Sequence, residues 1–387
     1  MSRAALAIFV CAVAPLLSMQ NKQIINVGPP PIGPYSGAVK AGGFIYLSGT
    51  LAQDDKGSLV GDGDVAAQTR RIVERMREVL TAAGSSIEQV VACTVYLRNA
   101  SDFKVMNDSY RTFWPKDPPT RTTVVTDLLI GADVEISMIA VPDGAERTVI
   151  HPADWIKSPN PYSYAIRSGD TVFLSGLVPR NGRDNSTVKG GIREQTGAVL
   201  GNAAELLKAA GMAPSNIVAA RVYLPDASDF QEMNLVYRAN FKSDPPARAT
   251  VKADLAGPDY AVEMTFIASS APREAITPAA NLSAAIKSGN RLYVSGMLGH
   301  TPETTKDPAA QTRETLARIN RTMEFAGFKR ADVVDSIIYL TDLDHFARMN
   351  DEYRTFFGKD FPARATVGTG LMAPGALIEI MVTAVKP

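Results

Sequence analysis

Apolar positions along the chain come as short continuous runs and, between them, as a stretch with helical spacing. Residues 44–48 and 90–97 are apolar runs rich in β-branched and aromatic side chains, which predicts strands. Between them Thr69, Ile72, Val73, Met76, Val79, Leu80 and Ala83 recur at three-to-four spacing, the period of an amphipathic helix. Asp64 is placed to cap its start and Gly84 to stop it. A second, shorter helix follows, with Ser101 or Asp102 at its start and Phe103, Met106, Tyr110 and Phe113 as its buried stripe. Pro118-Pro119 then breaks the chain, residues 121–126 and 134–141 read as closing strands, and one more strand is expected near Val39. Strand, helix, strand, helix, strand, strand describes an α+β layer with both helices on one face of a mixed sheet.

The pattern returns twice more. Leu47-Ser48-Gly49 recurs as Leu174-Ser175-Gly176 and Val294-Ser295-Gly296, and Gln68-Thr69 as Gln195-Thr196 and Gln311-Thr312. Val95-Tyr96-Leu97 recurs as Val222-Tyr223-Leu224 and Ile338-Tyr339-Leu340. Met106-Asn107 recurs as Met233-Asn234 and Met349-Asn350, each followed by Tyr110, Tyr237 or Tyr353. The spacing from Asn107 to Asn234 is 127 residues and from Asn234 to Asn350 is 116; one loop of the third unit is four residues shorter. The expected units are 21–146, 147–273 and 274–387. At about 120 residues each they are domains with cores of their own, not solenoid repeats. One sheet face per unit needs a cover, and three equal units could cover one another as a pseudo-threefold ring.

Composition narrows the chemistry. The 387 residues carry 40 Lys+Arg against 40 Asp+Glu, so no global electrostatic footprint marks a nucleic-acid partner. Two cysteines, Cys11 and Cys93, exclude a disulfide scaffold or a cysteine metal cluster, and Cys93 sits in an apolar strand as a core residue rather than a nucleophile. The three histidines, His151, His300 and His345, fall at non-equivalent places, so no recurring triad accompanies Ser48, Ser175 or Ser295. Neither a P-loop nor a strand-following glycine fingerprint is present. At the N-terminus, Arg3 precedes an uncharged run over 4–17, the pattern of a secretory signal, too short to span a bilayer comfortably. Residues 1–20 are therefore expected to direct export to the periplasm or the medium, with no membrane association after removal. A ragged extension on a cytoplasmic protein is the alternative.

Two charged positions recur inside apolar strands. Arg121, Arg248 and Arg364 each begin a strand just past a proline. Glu135, Glu263 and Glu379 each sit between apolar neighbours in the last strand. A lone strand carboxylate is costly to bury unless paired or functional. One reading is a duplicated Arg–Glu structural pair. The other is a small-anion site, in which the guanidinium clamps a carboxylate and the glutamate handles a proton or a water. Gly33-Pro34-Tyr35-Ser36 is matched by Asn160-Pro161-Tyr162-Ser163 and by Ala280-Asn281-Leu282-Ser283, where leucine replaces tyrosine. These segments are turns before a strand or walls of the site. Asn107, Asn234 and Asn350, each one residue past a core methionine, cap structure or line the same site.

Taken together, these motifs resemble the RidA/YjgF family of reactive enamine/imine deaminases. The carriers are Gly33-Pro34-Tyr35-Ser36, Leu47-Ser48-Gly49, Ala67-Gln68-Thr69-Arg70, Pro119-Thr120-Arg121 and Val134-Glu135-Ile136. The ordered set, found three times, covers nearly all the chain after residue 25. The resemblance implies a chorismate-mutase-like α+β fold. Since the family forms homotrimers with ligand clefts between subunits, it also implies a trimer fused into one monomeric chain, with up to three clefts. It implies that Arg121, Arg248 and Arg364 bind the carboxylate of a small imine or keto acid, and that Glu135, Glu263 and Glu379 orient water or relay a proton. It places Tyr35, Tyr162, Ser48, Ser175, Ser295, Asn107, Asn234 and Asn350 around the pocket, with the backbone of Thr123, Thr250 and Thr366 close to the ligand. The implied chemistry is hydrolysis of 2-iminopropionate, formed from 2-aminoacrylate, to a 2-keto acid and ammonia, with no metal or organic cofactor. A non-catalytic carboxylate-binding module of the same fold is the alternative. Leu282 puts one cleft in doubt, and a signal segment is unusual for chemistry whose known enamine source is cytosolic.

Overall fold

The computed structural model describes residues 22–257 and 259–387; the expected signal segment, 1–20, lies outside the described residues. The first unit comprises β1 (Gln23–Ile25), β2 (Ala38–Ala41), β3 (Phe44–Leu51), α1 (Val65–Ala82), β4 (Val90–Leu97), α2 (Phe103–Arg111), β5 (Thr120–Val125) and β6 (Val134–Ala140). The second comprises β7 (Thr148–Ile150), β8 (Ala165–Ser168), β9 (Thr171–Leu174), α3 (Ile192–Ala209), β10 (Ile217–Leu224), α4 (Phe230–Asn240), β11 (Ala247–Lys252), β12 (Asp254–Leu255) and β13 (Glu263–Ser269). The third comprises β14 (Arg273–Pro278), β15 (Ser283–Ser288), β16 (Arg291–Leu298), α5 (Pro308–Phe325), β17 (Val333–Leu340), α6 (Phe346–Phe357), β18 (Ala363–Gly368) and β19 (Ile378–Val385). Each sheet is mixed. In the first, β6 runs antiparallel between β3 and β4, while β4 and β5 are parallel and joined through α2. The order is β1-β2-β3-β6-β4-β5, repeated in the other two sheets.

Local chemistry sets the helix ends. The Asp64 carboxylate accepts from the Ala67 amide, and Gly84, at φ 70°, follows the last turn of α1 in the left-handed region. The start of α2 differs from the expectation. No side-chain cap forms at Asp102; a 3₁₀ turn, Ala100–Asp102, leads into the helix instead.

Strand alternation assigns the two faces. In β4, Val95 and Leu97 join Ile72, Met76 and Leu80 of α1 in the helix-side core. Each such side chain contributes about 1.5–3 kcal/mol on burial. Tyr96 points the other way, into a cluster that also holds Tyr223 and Tyr339 of the other two units, all fully buried. The helix-free faces thus cover one another.

Contacts between units close on themselves. β12 of the second unit adds antiparallel to β5 of the first, Leu371 of the third bridges to Val251 of the second, and Asp127 of the first bridges to Gly368 of the third. The Ser36 hydroxyl donates to the Phe361 carbonyl, Ser163 to Pro118 and Ser283 to Pro245, each at 2.6 Å. Each serine therefore ties the opening turn of one unit to the chain just before the arginine strand of another.

Candidate functional site

The Ser-Gly pairs sit where the register of β3 against β6 and of β16 against β19 slips by one residue. Such a bulge re-aims side chains locally. Both residues of the pair are used. The Ser48 hydroxyl donates to the Ser36 carbonyl at 2.6 Å and accepts from the Arg364 amide at 2.8 Å. Ser175 does the same between the Ser163 carbonyl and the Arg121 amide, and Ser295 between the Ser283 carbonyl and the Arg248 amide. These three serines do not line the pocket as expected: their hydroxyls are buried and committed to backbone. They position the arginine of the neighbouring unit.

The glycines make room for the glutamates. A Cβ on Gly49, Gly176 or Gly296 would lie 1.9, 1.8 or 1.8 Å from the Oε1 of Glu135, Glu263 or Glu379. No side chain fits there unless the carboxyl moves. Gly176→Ala should therefore disable its cleft while the sheet still forms. A crystal structure of the variant, with Glu263 swung away from the Thr123 amide, is the expected result; an unmoved Glu263 would refute the close-packing account.

Each arginine meets the glutamate of another unit, not of its own. Arg121 stands with Glu263, Arg248 with Glu379 and Arg364 with Glu135. Among the described residues no Arg–Glu nitrogen–oxygen pair in these clefts lies within 4 Å. Of the two readings of these recurring charges, a direct structural ion pair is not the one formed. Nε and Nη1 of Arg121 and Arg248, and Nη1 and Nη2 of Arg364, are buried with no protein hydrogen-bond partner. A buried charged donor left without a partner costs about 1–3 kcal/mol or more. Aromatic faces offset part of this. Arg121 lies over Tyr110 and Tyr162 at 5.0 and 5.8 Å, and Arg364 over Tyr353 and Tyr35 at 5.0 and 5.1 Å. Arg248 has Tyr237 at 4.6 Å, while the position matching Tyr35 and Tyr162 is Leu282. That cleft lacks one aromatic wall.

The glutamates are 3–5% exposed. Burial pushes each carboxyl up to about 8, against the opposing pull of the facing arginine and of one backbone amide. For Glu263 that amide is Thr123, at 3.3 Å from Oε1; Thr366 and Thr250 hold the same place beside Glu135 and Glu379. At neutral pH each cleft therefore carries a fixed cation facing a largely neutral acid. Asn107, Asn234 and Asn350 lie on α2, α4 and α6 with buried, unpartnered Oδ1 atoms. Asn107 donates to the Asn160 side chain at 3.4 Å, and Asn350 stands with Arg364 against Gly33. Burial pushes the Cys93 thiol up to about 12, as suits a core residue.

The clefts are not equal in size. The one lined by Arg121, Thr123, Tyr162 and Glu263 encloses about 260 Å³, and the one lined by Tyr35, Glu135, Arg364 and Thr366 about 20 Å³. The larger cleft also contains Arg180, Asn185 and Tyr260. Sequence reasoning passed over these three because they do not recur. The one available signal was the departure itself: Gln53 and His300 stand where Arg180 does, five residues past the Ser-Gly serine.

Comparison with known proteins agrees with this division into three. The family model described as Endoribonuclease L-PSP matches residues 26–142, 153–270 and 272–386. A RutC family protein of Pyrococcus horikoshii is 40% identical over 113 residues, 29% of this chain and 90% of the relative. A protein of Acinetobacter baylyi named 3-aminoacrylate deaminase RutC is 36% identical over 29% of this chain and 90% of its own length. A 2-iminobutanoate/2-iminopropanoate deaminase of Dermatophagoides farinae is 35% identical over 32% of this chain and 98% of its own. The crystal structure of RidA from an Antarctic Psychrobacter is 34% identical, with a TM-score of 0.30, covering 31% of this chain and 98% of that one. The chain belongs to the RidA/YjgF family, whose model is described as endoribonuclease L-PSP, and carries three tandem copies of its domain.

Proposed function

We propose that the protein is a hydrolytic deaminase of small 2-imino acids, working as an intrachain pseudo-trimer with its clefts between units. One observation carries this reading: three buried guanidiniums, each with two nitrogens that no protein group satisfies, each facing a glutamate poised near 8. The pairing suits a zwitterionic iminium carboxylate. The carboxylate takes the arginine's free donors, and the cationic C=N carbon sits toward the glutamate and the adjacent threonine amide. Water adds to that carbon and the glutamate accepts one of its protons, leaving a carbinolamine. The glutamate returns this proton to the amine, the C–N bond breaks as the hydroxyl gives its proton to the glutamate, and ammonia and the 2-keto acid leave. A group titrating near the working pH can do both. The name of the Dermatophagoides farinae relative, a 2-iminobutanoate/2-iminopropanoate deaminase, supports this substrate class. The 3-aminoacrylate deaminase of Acinetobacter baylyi supports deamination of small enamine carboxylates more broadly, and the cavity beside Arg121 offers the space.

The same proposal has the chain act as a monomer, exported under the direction of residues 1–20. The test is release of keto acid and ammonia from 2-iminopropionate made in situ by an amino-acid oxidase, with and without the purified chain. Acceleration is expected. Saturable pyruvate binding without acceleration would favour the carboxylate-binding module instead.

A further inference from the structure

We propose that the cleft between the first and second units takes a 2-imino acid with a second carboxylate, and that Arg180 holds that second group. The inference rests on the deaminase reading and names a substrate class for one of its sites. Arg180 lines the same cavity as Arg121 and Glu263. Its Nε donates to the Tyr260 hydroxyl, its Nη1 donates to the Asn185 carbonyl at 3.0 Å, and its guanidinium lies over the Tyr260 ring at 5.6 Å. A guanidinium has five N–H donors, so these contacts fix its plane and leave donors over. Among the described residues no carboxylate oxygen lies within 4 Å of it. Tyr162, which lines the same cavity under Arg121, feels the field of both Arg121 and Arg180. Glu263, largely neutral at pH 7, does not balance them. Two cations in one half-buried cleft are satisfied by two anionic groups, and a monocarboxylate supplies one.

Size and asymmetry point the same way. At about 260 Å³ this cleft has room for a four- or five-carbon diacid, whereas the Arg364 cleft, about 20 Å³, is walled by Ile32, Leu51, Leu129 and Phe346. The features that set the larger cleft apart are confined to one unit: Arg180 stands where the others have Gln53 and His300, and Tyr260 where they have Ala132 and Ala376. A fused chain can change one cleft without changing the others, which a homotrimer cannot. The reaction stays balanced: the iminodicarboxylate and one water give the 2-oxodicarboxylate and ammonia.

The test uses the full chain and two imines made in situ by oxidases, from alanine and from glutamate. The readout is the ratio of kcat/KM for the diacid to that for the monoacid. The ratio is expected to favour the diacid and to fall about ten- to a hundredfold in Arg180→Gln, the loss of one charge-assisted hydrogen bond or a bidentate pair. Arg180→Lys should fall between. A ratio that Arg180→Gln leaves in place, or that Arg180→Lys shifts as far, overturns the assignment. Calorimetric titration with 2-oxoglutarate and pyruvate separates the two readings. If neither imine is turned over faster, yet 2-oxoglutarate binds more tightly than pyruvate in a manner that needs Arg180, the deaminase reading fails and the diacid site stands. If both imines are turned over with no preference, the reverse holds.

Discussion

Arg121→Ala, Arg248→Ala and Arg364→Ala combined should abolish imine turnover. Each change removes two buried donors that no protein group satisfies and that the proposed mechanism gives to the substrate carboxylate, worth about 1.5–3 kcal/mol apiece, so kcat/KM should fall about a hundred- to ten-thousandfold. The fold should survive, because the arginines make no ion pair with the facing glutamates. Replacing each with methionine gives the sharper control. Methionine fills much of the space and removes an unpaired buried cation, an exchange that is often neutral or stabilising. The methionine variant should therefore melt at or above the wild-type temperature while remaining inactive. Turnover that persists in either variant would end the clamp model; a folded, inactive methionine variant separates chemistry from structure.

Changing Glu135, Glu263 and Glu379 together to Gln should lower turnover about a hundred- to ten-thousandfold, the usual worth of a positioned acid–base group. The pH dependence carries more information than the size of the loss. With carboxyls near 8, kcat/KM should climb with pH up to about 8 and then level, because the base form activates water. The Gln variant should show residual activity without that inflection. An inflection retained in the variant would assign it to another group.

Stability should move with pH in the opposite sense. Each glutamate is raised from 4.5 to about 8 in the folded chain, so between those values the native state holds protons that the unfolded state has lost. Stability then falls as pH rises across that window and is flat in these groups below 4.5. The triple Gln variant should lose that slope, which thermal melts at pH 5, 6.5 and 8 would read directly. A carboxylic acid kept neutral by burial thus trades stability above pH 5 for a base near the working pH.

Much of this protein was legible in its sequence because hydrophobic periodicity is a local signal. The continuous apolar, β-branched and aromatic run over 90–97 and the three-to-four spacing from Thr69 to Ala83 produced the expected strand and helix, and the Asp64 cap formed as its residue type suggests. Threefold recurrence then picked out Arg121, Glu135 and their counterparts as the charged positions inside apolar strands. Recurrence could not say which copies meet. Every motif occurs once per unit, so a partner in the same unit and one in the next leave the same spacing along the chain. Packing decided that. The helix-free faces carrying Tyr96, Tyr223 and Tyr339 bury against one another, and this sets Arg121 opposite Glu263 rather than Glu135. Packing also turned Ser48, Ser175 and Ser295 from expected ligand contacts into positioning residues, since each hydroxyl is buried, spends its one donor on a backbone carbonyl and accepts from the amide of the arginine it positions. Arg180 gave no sequence signal beyond breaking the repeat, because its meaning lies in a cavity shared with Arg121 from the preceding unit. The repeat, the element types and the recurring Arg and Glu positions follow from local pattern along the chain. Which arginine meets which glutamate, and how the clefts differ, come from the faces that pack together, and local pattern does not encode that.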